Sequence, residues 1–582
     1  MKNNKQQPEI VVLKFGSSVL RSEKDLPRAV HEIYRRWRGG AQVLAVVSAF
    51  GNATDELLKR AESISDQPEA SALAALVATG EATASAMLCL ATGKAGMAAR
   101  VLDPAQAGLR TVGERLEAEL VAVDVARLKG ELRRAVVVLP GFVGRGEGGY
   151  TTLLGRGGSD FSAFFIANQL GARCVLLKDV DGLYTSDPAC SSKRPTRFAQ
   201  IRYETALRVG SQVVQPKALR FAASRGLGFE VTAVGAGTRT VVGGAHDRVE
   251  TSSESQPLRV ALLGCGTVGG GVYQRLAALP ELFTVTGVGT RSGARARAAE
   301  VPERLITSDL ENLIEGQCDV VIELMGGPKY AAGLTTKALR SGRHVITANK
   351  ALMAGEGERL LSLAAVCGVR LRYSAAVGGA LPALEAIERA RNHGAIRSFS
   401  GVLNATSNFV LDSLAEGKDL QSAVAAAQKA GYAEANARLD LDGTDATQKL
   451  ILLARQAFGI SLPFDVVTRE GVDQIDPLCV RKSCEQGQKM RLVASCRLGA
   501  EGLEASVKLL ELPQWHPLSS AAGLENRLLI ESIDGRSYVV SGTGAGRWPT
   551  TEAVMADLLD IRRETQPADV IAGFKEREEY VA

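Results

Sequence analysis

Apolar and polar positions along this chain form two alternating strand–helix series separated by one polar tract. In the first series, residues 10–15, 42–48, 135–139 and 174–177 are short apolar, β-branched runs that end in turn or charged residues. Runs bounded in that way predict buried strands. Between them, 69–91 and 159–170 are rich in Ala and Leu and predict helices. That alternation implies a mostly parallel sheet covered on both faces. The tract 243–257, GGAHDRVETSSESQP, is polar, Ser-rich and aperiodic, which predicts a linker. A second series opens beyond it, with strand 258–263, helix 270–279, strand 283–289, and further strands at 318–324 and 344–350.

The bulk properties narrow the classes of function. A chain of 582 residues is long enough for three or four domains with their own cores. A hydrophobic share of 46% with 23% charged residues is ordinary for a globular protein. The net charge of +5 is small and dispersed, so nucleic-acid binding is not expected. Nine cysteines without a CxxC pair suit reduced thiols, and five scattered histidines suggest no metal cluster. The first residues, MKNNKQQPEI, lack the apolar core of a signal peptide. No membrane-spanning stretch is expected either. These features predict a soluble, cytoplasmic, multidomain protein.

Gly264-Cys265-Gly266-Thr267-Val268-Gly269 follows a predicted strand and opens a predicted helix. In that context a GxGxxG permits a tight turn and close approach of a pyrophosphate to the helix N-terminus. The next strand ends in Thr290-Arg291-Ser292, with no acidic residue to hold a ribose 2′-hydroxyl. Arg291 therefore favours the 2′-phosphate of NADP, with NAD as the lesser cofactor, and Arg295 and Arg297 are nearby candidates.

The segment 431–452, GYAEANARLDLDGTDATQKLIL, places Glu434, Asp440 and Asp445 ahead of Lys449. Asp445 and Lys449 are four apart and share one face of a helix. Such a set can hold a small amino acid and move a proton onto an oxygen. The plainer reading is an N-capping Asp followed by a surface ion pair.

From 258 onward the chain resembles the homoserine dehydrogenase family. The motifs are GCGTVGGGV, VVIELMGG, GRHVITANKAL, AAVGGALPAL, LNATSNFVL, the block around Glu434, and GTGAGRWPTTEAVMADL at 542–558. The resemblance implies that Glu434, Asp445 and Thr406 hold homoserine, with Asp440 in support, and that Lys449 donates the proton. It makes Lys350 a second acid/base candidate that also contacts the cofactor. It further implies a weak monovalent-cation site at the backbone carbonyls of Val377, Gly379 and Leu381. Ser374 stands there in place of a common acidic ligand, and Ala405-Thr406 in place of Gly-Thr.

Residues 7–244 resemble the aspartokinase branch of the amino-acid kinase superfamily. The motifs are VVLKFGSSVL, VVSAFGNATDEL, TGEATASAML, LPGFVG, GRGGSDFSA and DVDGLYTSDP. Lys14 beside Gly16, Ser17 and Ser18 suits a phosphate cradle. The resemblance assigns L-aspartate to Thr54, Glu81, Arg156, Ser159 and Asp160. It assigns ATP, with Mg²⁺, to Lys14, Gly16, Ser17, Asp179 and Tyr184. Three departures stand out: Lys178 for Thr, Ala189 for Arg, and Gln212 for a nucleotide lysine. Lys178 and Lys217 are the expected replacements for the missing cations.

The expected architecture is α/β throughout. A carbamate kinase-like amino-acid kinase fold spans 7–244, with a linker at 245–257. A Rossmann domain spans 258–375 and is completed by about 540–582. An α+β substrate and dimerisation domain spans 376–539. The whole resembles bifunctional aspartate kinase–homoserine dehydrogenases without the ACT domains usual between the halves, since 243–257 is too short for one. Expected partners are small-molecule substrates and further copies of the chain, as a dimer or tetramer. The rival readings are a dehydrogenase with a degenerate kinase domain, and a ligand sensor.

Overall fold

The computed structural model describes residues 8–186, 195–250, 256–291, 293–430, 432–433 and 437–565. In the first half, Ile10–Phe15 lies parallel between Gln42–Val47 and Arg173–Lys178 at the centre of a nine-stranded sheet. These strands and Val136–Pro140 begin and end within one residue of the expected bounds. Val12, Leu13, Leu44, Ala45, Val137 and Leu176 are completely buried, as continuous apolar strands require when helices cover both faces. A separate four-stranded sheet, built from Arg110–Val112, Glu119–Ala122, Val143–Arg145 and Thr151–Leu153, flanks this half.

Two expectations are corrected. Part of the tract read as linker, Arg248–Glu250, pairs antiparallel with Arg197–Ile201 and forms one edge of the nine-stranded sheet. An edge strand with an exposed Arg248 and Val249 carries no apolar periodicity, so it looks like a linker in sequence. The helix Ala70–Lys94 is long and apolar enough to cross a membrane by length and composition, contrary to the expectation that no stretch would be. Its apolarity comes largely from Ala, and it presents Ala74, Val77, Ala84 and Leu88 to the fold with Glu81 in their midst.

The second half opens with a six-stranded parallel sheet. Its order is Ile306–Thr307, Phe283–Gly289, Leu258–Leu263, Val320–Glu323, His344–Thr347, Leu371–Arg372. In chain order this is 3-2-1-4-5-6, the dinucleotide-binding arrangement, whose ligand crevice lies at the carboxyl ends of the strands. A second six-stranded sheet, antiparallel except for the short strand Thr468–Arg469, carries the rest of this half. The helix Arg547–Thr565 returns to pack on the Gly-rich helix Thr267–Ala277. A Cβ at Gly271 would lie 2.6 Å from the Thr551 hydroxyl, so a glycine allows this crossing.

The two halves are not strung apart. One continuous hydrophobic core holds Leu13, Phe15 and Ile33 of the first half together with Val260, Leu262, Val272 and Met555 of the second.

Candidate active sites

The helix Thr444–Phe458 starts after Gly443, whose φ of 78° places it in the left-handed region. Asp445 therefore sits inside the first turn and caps nothing. It is 3% exposed and Lys449 is 6% exposed, which contradicts the plainer reading of a cap plus a surface pair. Lys449 Nζ lies 2.8 Å from Asp445 Oδ2 and donates to the Leu403 carbonyl at 2.7 Å. Lys350 Nζ lies 2.5 Å from Asp445 Oδ1. Burial alone would raise the Asp445 carboxyl, but Lys449 and Lys350 hold it well below the usual carboxylate range. Asp440 is raised instead, first by burial and then by the charge of Asp445.

Lys350 follows the strand His344–Thr347 and opens the helix Lys350–Val366, so the expected strand 344–350 ends earlier than predicted. The cluster thus stands at the carboxyl edge of the parallel sheet. Thr406 donates to the Tyr432 carbonyl at 2.7 Å and lies 3.4 Å from Asp440 Oδ2. Glu434 lies outside the described residues.

The turn after Leu258–Leu263 fits a dinucleotide. Gly264 has φ +102°, and a Cβ there would meet the Leu324 carbonyl at 2.6 Å. A Cβ at Gly269 would lie 2.0 Å from the Gly264 oxygen, whereas the Cβ position at Gly266 faces open space. Gly264 and Gly269 thus close the turn on the helix, and Gly266 leaves its mouth clear beside Thr267 and Val268. Arg291 is exposed at the end of the second strand, while Arg297 is engaged with Glu303 at 2.9 Å.

The carbonyls named for a cation lie in and just after the short helix Ser374–Gly378. The Leu381 carbonyl already accepts from the Ala383 amide at 2.8 Å. Ser374 brings no charge, and its hydroxyl donates to Glu385 Oε1 at 2.8 Å. The carbonyls of Val377 and Gly379 gain no anionic side chain from that residue.

In the first half, a cavity of about 1160 Å³ is lined by Lys14, Ser17, Thr54, Glu81, Arg156, Ser159, Asp160, Lys178, Asp179 and Tyr184. Asp160 comes from the first turn of the helix Gly158–Leu170 and bridges two cations. Lys14 Nζ lies 2.7 Å from Oδ1 and Lys178 Nζ 3.0 Å from Oδ2. Burial opposes its charge, but Lys14 and Lys178 keep the Asp160 carboxyl below its ordinary value. Lys178 falls to about 8, through burial first and the Lys14 charge second. A Cβ at Gly16 would lie 3.1 Å from Lys14 Nζ, so the glycine leaves room for that ammonium. Glu81 is 3% exposed, its Oε2 has no hydrogen-bond partner, and burial pushes its carboxyl up to about 8. An orphaned buried carboxylate oxygen beside a cavity is a ready partner for a ligand ammonium.

Lys217 does not line this cavity. Its ammonium donates to the Leu154 carbonyl at 3.0 Å and lies over the Phe161 ring. Gln212 lines the cavity, and Ala189 lies outside the described residues.

Sequence reasoning missed two hubs. Asn404 caps the helix Ala405–Ala415, and its Nδ2 donates to both Asp440 (2.8 Å) and Asp445 (2.9 Å). An Asn ahead of a helix signals the cap but not the second job of its amide. Asp181 accepts from Tyr184 Oη and from Thr238 Oγ1, both at 2.6 Å.

Three family models match the chain. Residues 9–231 match the amino acid kinase family, 264–374 the homoserine dehydrogenase NAD binding domain, and 382–559 homoserine dehydrogenase. The homoserine dehydrogenase of Pseudomonas aeruginosa is 33% identical over 321 residues, covering 53% of this chain and 73% of its own. That of Corynebacterium glutamicum is 33% identical over 52% of this chain and 72% of its own. The crystal structure of a Thiobacillus denitrificans homoserine dehydrogenase has a TM-score of 0.50 at 32% identity, covering 53% of this chain and 73% of that one. With a nicotinamide-dinucleotide domain, the lysine–aspartate cluster at its sheet edge and these relatives, the chain belongs to the homoserine dehydrogenase family and carries an amino acid kinase family domain ahead of it.

Proposed function

We propose that the second half interconverts L-aspartate 4-semialdehyde and L-homoserine with NADP(H). The first half then phosphorylates L-aspartate with MgATP to 4-phospho-L-aspartate. The observation that carries the first reading is the buried Asp445–Lys449 pair, bridged by the half-exposed Lys350, at the carboxyl edge of the dinucleotide sheet. A bound nicotinamide dinucleotide would supply the hydride for the aldehyde carbon, and Gly264, Gly266, Thr267, Val268 and Gly269 would hold its pyrophosphate. Arg291 would hold the 2′-phosphate. The Lys449 ammonium, aimed by the Leu403 carbonyl and Asp445, gives the aldehyde oxygen its proton in one direction and recovers it in the other. Lys350 neutralises the other Asp445 oxygen and adds positive charge beside the reacting carbonyl. Asp440 and Thr406 line the substrate side, and Glu434 meets the substrate ammonium.

In the first half, Glu81 takes the aspartate ammonium and Arg156 forks onto a substrate carboxylate. Thr54, Ser159 and Asp160 complete that pocket. Lys14 and Lys178, gathered by Asp160, face the transferred phosphoryl group, with Gly16 and Ser17 beside them and Asp179 and Tyr184 at the nucleotide. One observation favours a degenerate kinase domain instead: Gln212 brings no cation to a wall where the aspartokinases it resembles commonly have lysine. We further propose a cytoplasmic homo-oligomer acting on small molecules, with at most a weakly held monovalent cation at the Val377, Gly379 and Leu381 carbonyls.

The deciding experiment assays the full purified chain for homoserine-dependent NADP reduction beside aspartate-dependent ADP formation from ATP. Both activities support the bifunctional reading. NADP reduction without ADP formation leaves only the dehydrogenase.

A further inference from the structure

Arg38 is the last residue of the kinase-side helix Leu26–Arg38, yet its side chain ends inside the dehydrogenase half. It is 5% exposed. Its Nη1 donates to Asp557 Oδ1 at 2.8 Å, its Nε lies 3.2 Å from Glu385 Oε1, and its Nη2 contacts Asp560. Ser374 closes the cluster from the other side. Its amide donates to Asp557 Oδ2 at 3.1 Å and its hydroxyl to Glu385 Oε1 at 2.8 Å. Arg389 Nη1 donates to the Arg38 carbonyl at 2.7 Å, so the end of the helix is held as well as its side chain. Asp557 is buried and Glu385 half-buried, and a cation between two such carboxylates offsets their mutual repulsion.

The carboxylates ride on helices with different cargo. Asp557 belongs to Arg547–Thr565, which packs on the dinucleotide helix Thr267–Ala277. Glu385 belongs to Ala383–His393, which packs on Thr444–Phe458, the bearer of Asp445 and Lys449. Hydride and proton must reach one carbonyl from these two carriers, and a displacement of about 1 Å between reacting groups can cost about a hundredfold in rate.

We infer that Arg38, supplied by the kinase half, is a positioning residue for the dehydrogenase reaction, clamping the cofactor-bearing and acid/base-bearing helices in register. This rests on the dehydrogenase reading above. An inert wild type overturns that reading, whereas an active wild type indifferent to Arg38 overturns only the clamp.

The test measures kcat, KM and the deuterium isotope effect for oxidation of homoserine labelled at its hydroxyl-bearing carbon, using the full chain. Arg38→Met should lower kcat roughly tenfold or more while homoserine KM changes less than about threefold, and the isotope effect should rise as hydride transfer becomes limiting. Arg38→Lys should recover part of kcat, because it restores the cation but not the fork that reaches three carboxylates. Ile33→Ala, a cavity in the same buried helix, should cost stability but keep kcat within about twofold at a temperature where it is folded. Wild-type kcat in Arg38→Met, no gain in Arg38→Lys, or an equal loss in Ile33→Ala each overturns the clamp. Should Arg38→Met fail to fold, Asp560→Asn at the half-exposed rim replaces it. A loss of about threefold in kcat supports the clamp and no loss overturns it.

Discussion

Each half of the molecule brings two lysines onto one buried aspartate, and the two arrangements differ in what surrounds them. In the dehydrogenase half, Asp445 holds Lys350 and Lys449, and the remaining positions are filled by Asn404 and the Leu403 carbonyl. Asn526 donates to that same carbonyl at 2.9 Å. In the kinase half, Asp160 holds Lys14 and Lys178 beside a wide cavity, with Glu81 unpartnered at one oxygen. In the first cluster protein groups already occupy both Asp445 oxygens and the Lys449 ammonium. The second has a lysine and a glutamate that both titrate near 8, so its charge is completed by what enters it. On the proposed readings, the same two residue types would serve a proton transfer in one place and the reception of a charged ligand in the other.

The sharpest way to break that comparison is at the proposed proton donor. Lys449→Ala should lower homoserine oxidation by about 10²-fold or more and leave ADP formation intact. A folded Lys449→Ala chain with near-normal NADP reduction removes this lysine from the mechanism. Next in size, Lys178→Met should lower kinase kcat/KM for ATP by about tenfold or more, the scale of one lost charge-assisted contact. Lys217→Ala should be nearly silent because its ammonium is spent on the Leu154 carbonyl. Steady-state ADP formation by the two variants decides this, and the reverse ranking would show that the wrong lysine has been chosen.

Arg291→Asp should move the ratio of NADP to NAD efficiency by roughly tenfold towards NAD, since the exchange replaces a 2′-phosphate partner by a 2′-hydroxyl partner. An unchanged ratio in paired initial-rate measurements would falsify the assignment of Arg291. The smallest effect concerns Glu81 and pH. Its folded carboxyl holds a proton up to about 8, whereas the unfolded chain loses it near 4.5. The folded state binds the extra proton, so wild-type stability falls as pH climbs through that window. Glu81→Gln removes this dependence, and its Tm relative to wild type should be a few degrees higher at pH 8.5 than at pH 5. Aspartate KM in wild type should also fall over pH 6.5 to 8.5 as Glu81 ionises. A flat difference in melting scans at the two pH values counts against the buried proton.

How much of this is legible in the sequence depends on how local each feature is. The dinucleotide turn is local, because strand, glycines and helix are contiguous, and 258–289 could be read almost residue by residue. The Asp445–Lys449 pair is local too, as helical spacing alone places both on one face. The bridge from Asn404 to Asp440 and Asp445 is not, because a contact across about forty residues leaves no periodic trace. Lys178 and Lys217 looked equivalent as spare cations, and only the path of the chain separates them. The edge strand Arg248–Glu250 was hidden by its own exposure, and Arg38 by lying in one half while acting in the other.

The core common to both halves has a consequence for synthesis. The helix Leu26–Arg38 leaves the ribosome early, but the helix Arg547–Thr565 that covers His31 and Arg38 is translated more than five hundred residues later. At ordinary elongation speeds of 5–20 residues per second, that face stays uncovered for roughly half a minute to nearly two minutes. Throughout that interval Ile33 and its neighbours are a surface on which a nascent chain can be delayed, captured by a chaperone or paired with the wrong partner. The kinase half therefore reaches its final form only after the dehydrogenase half has been made.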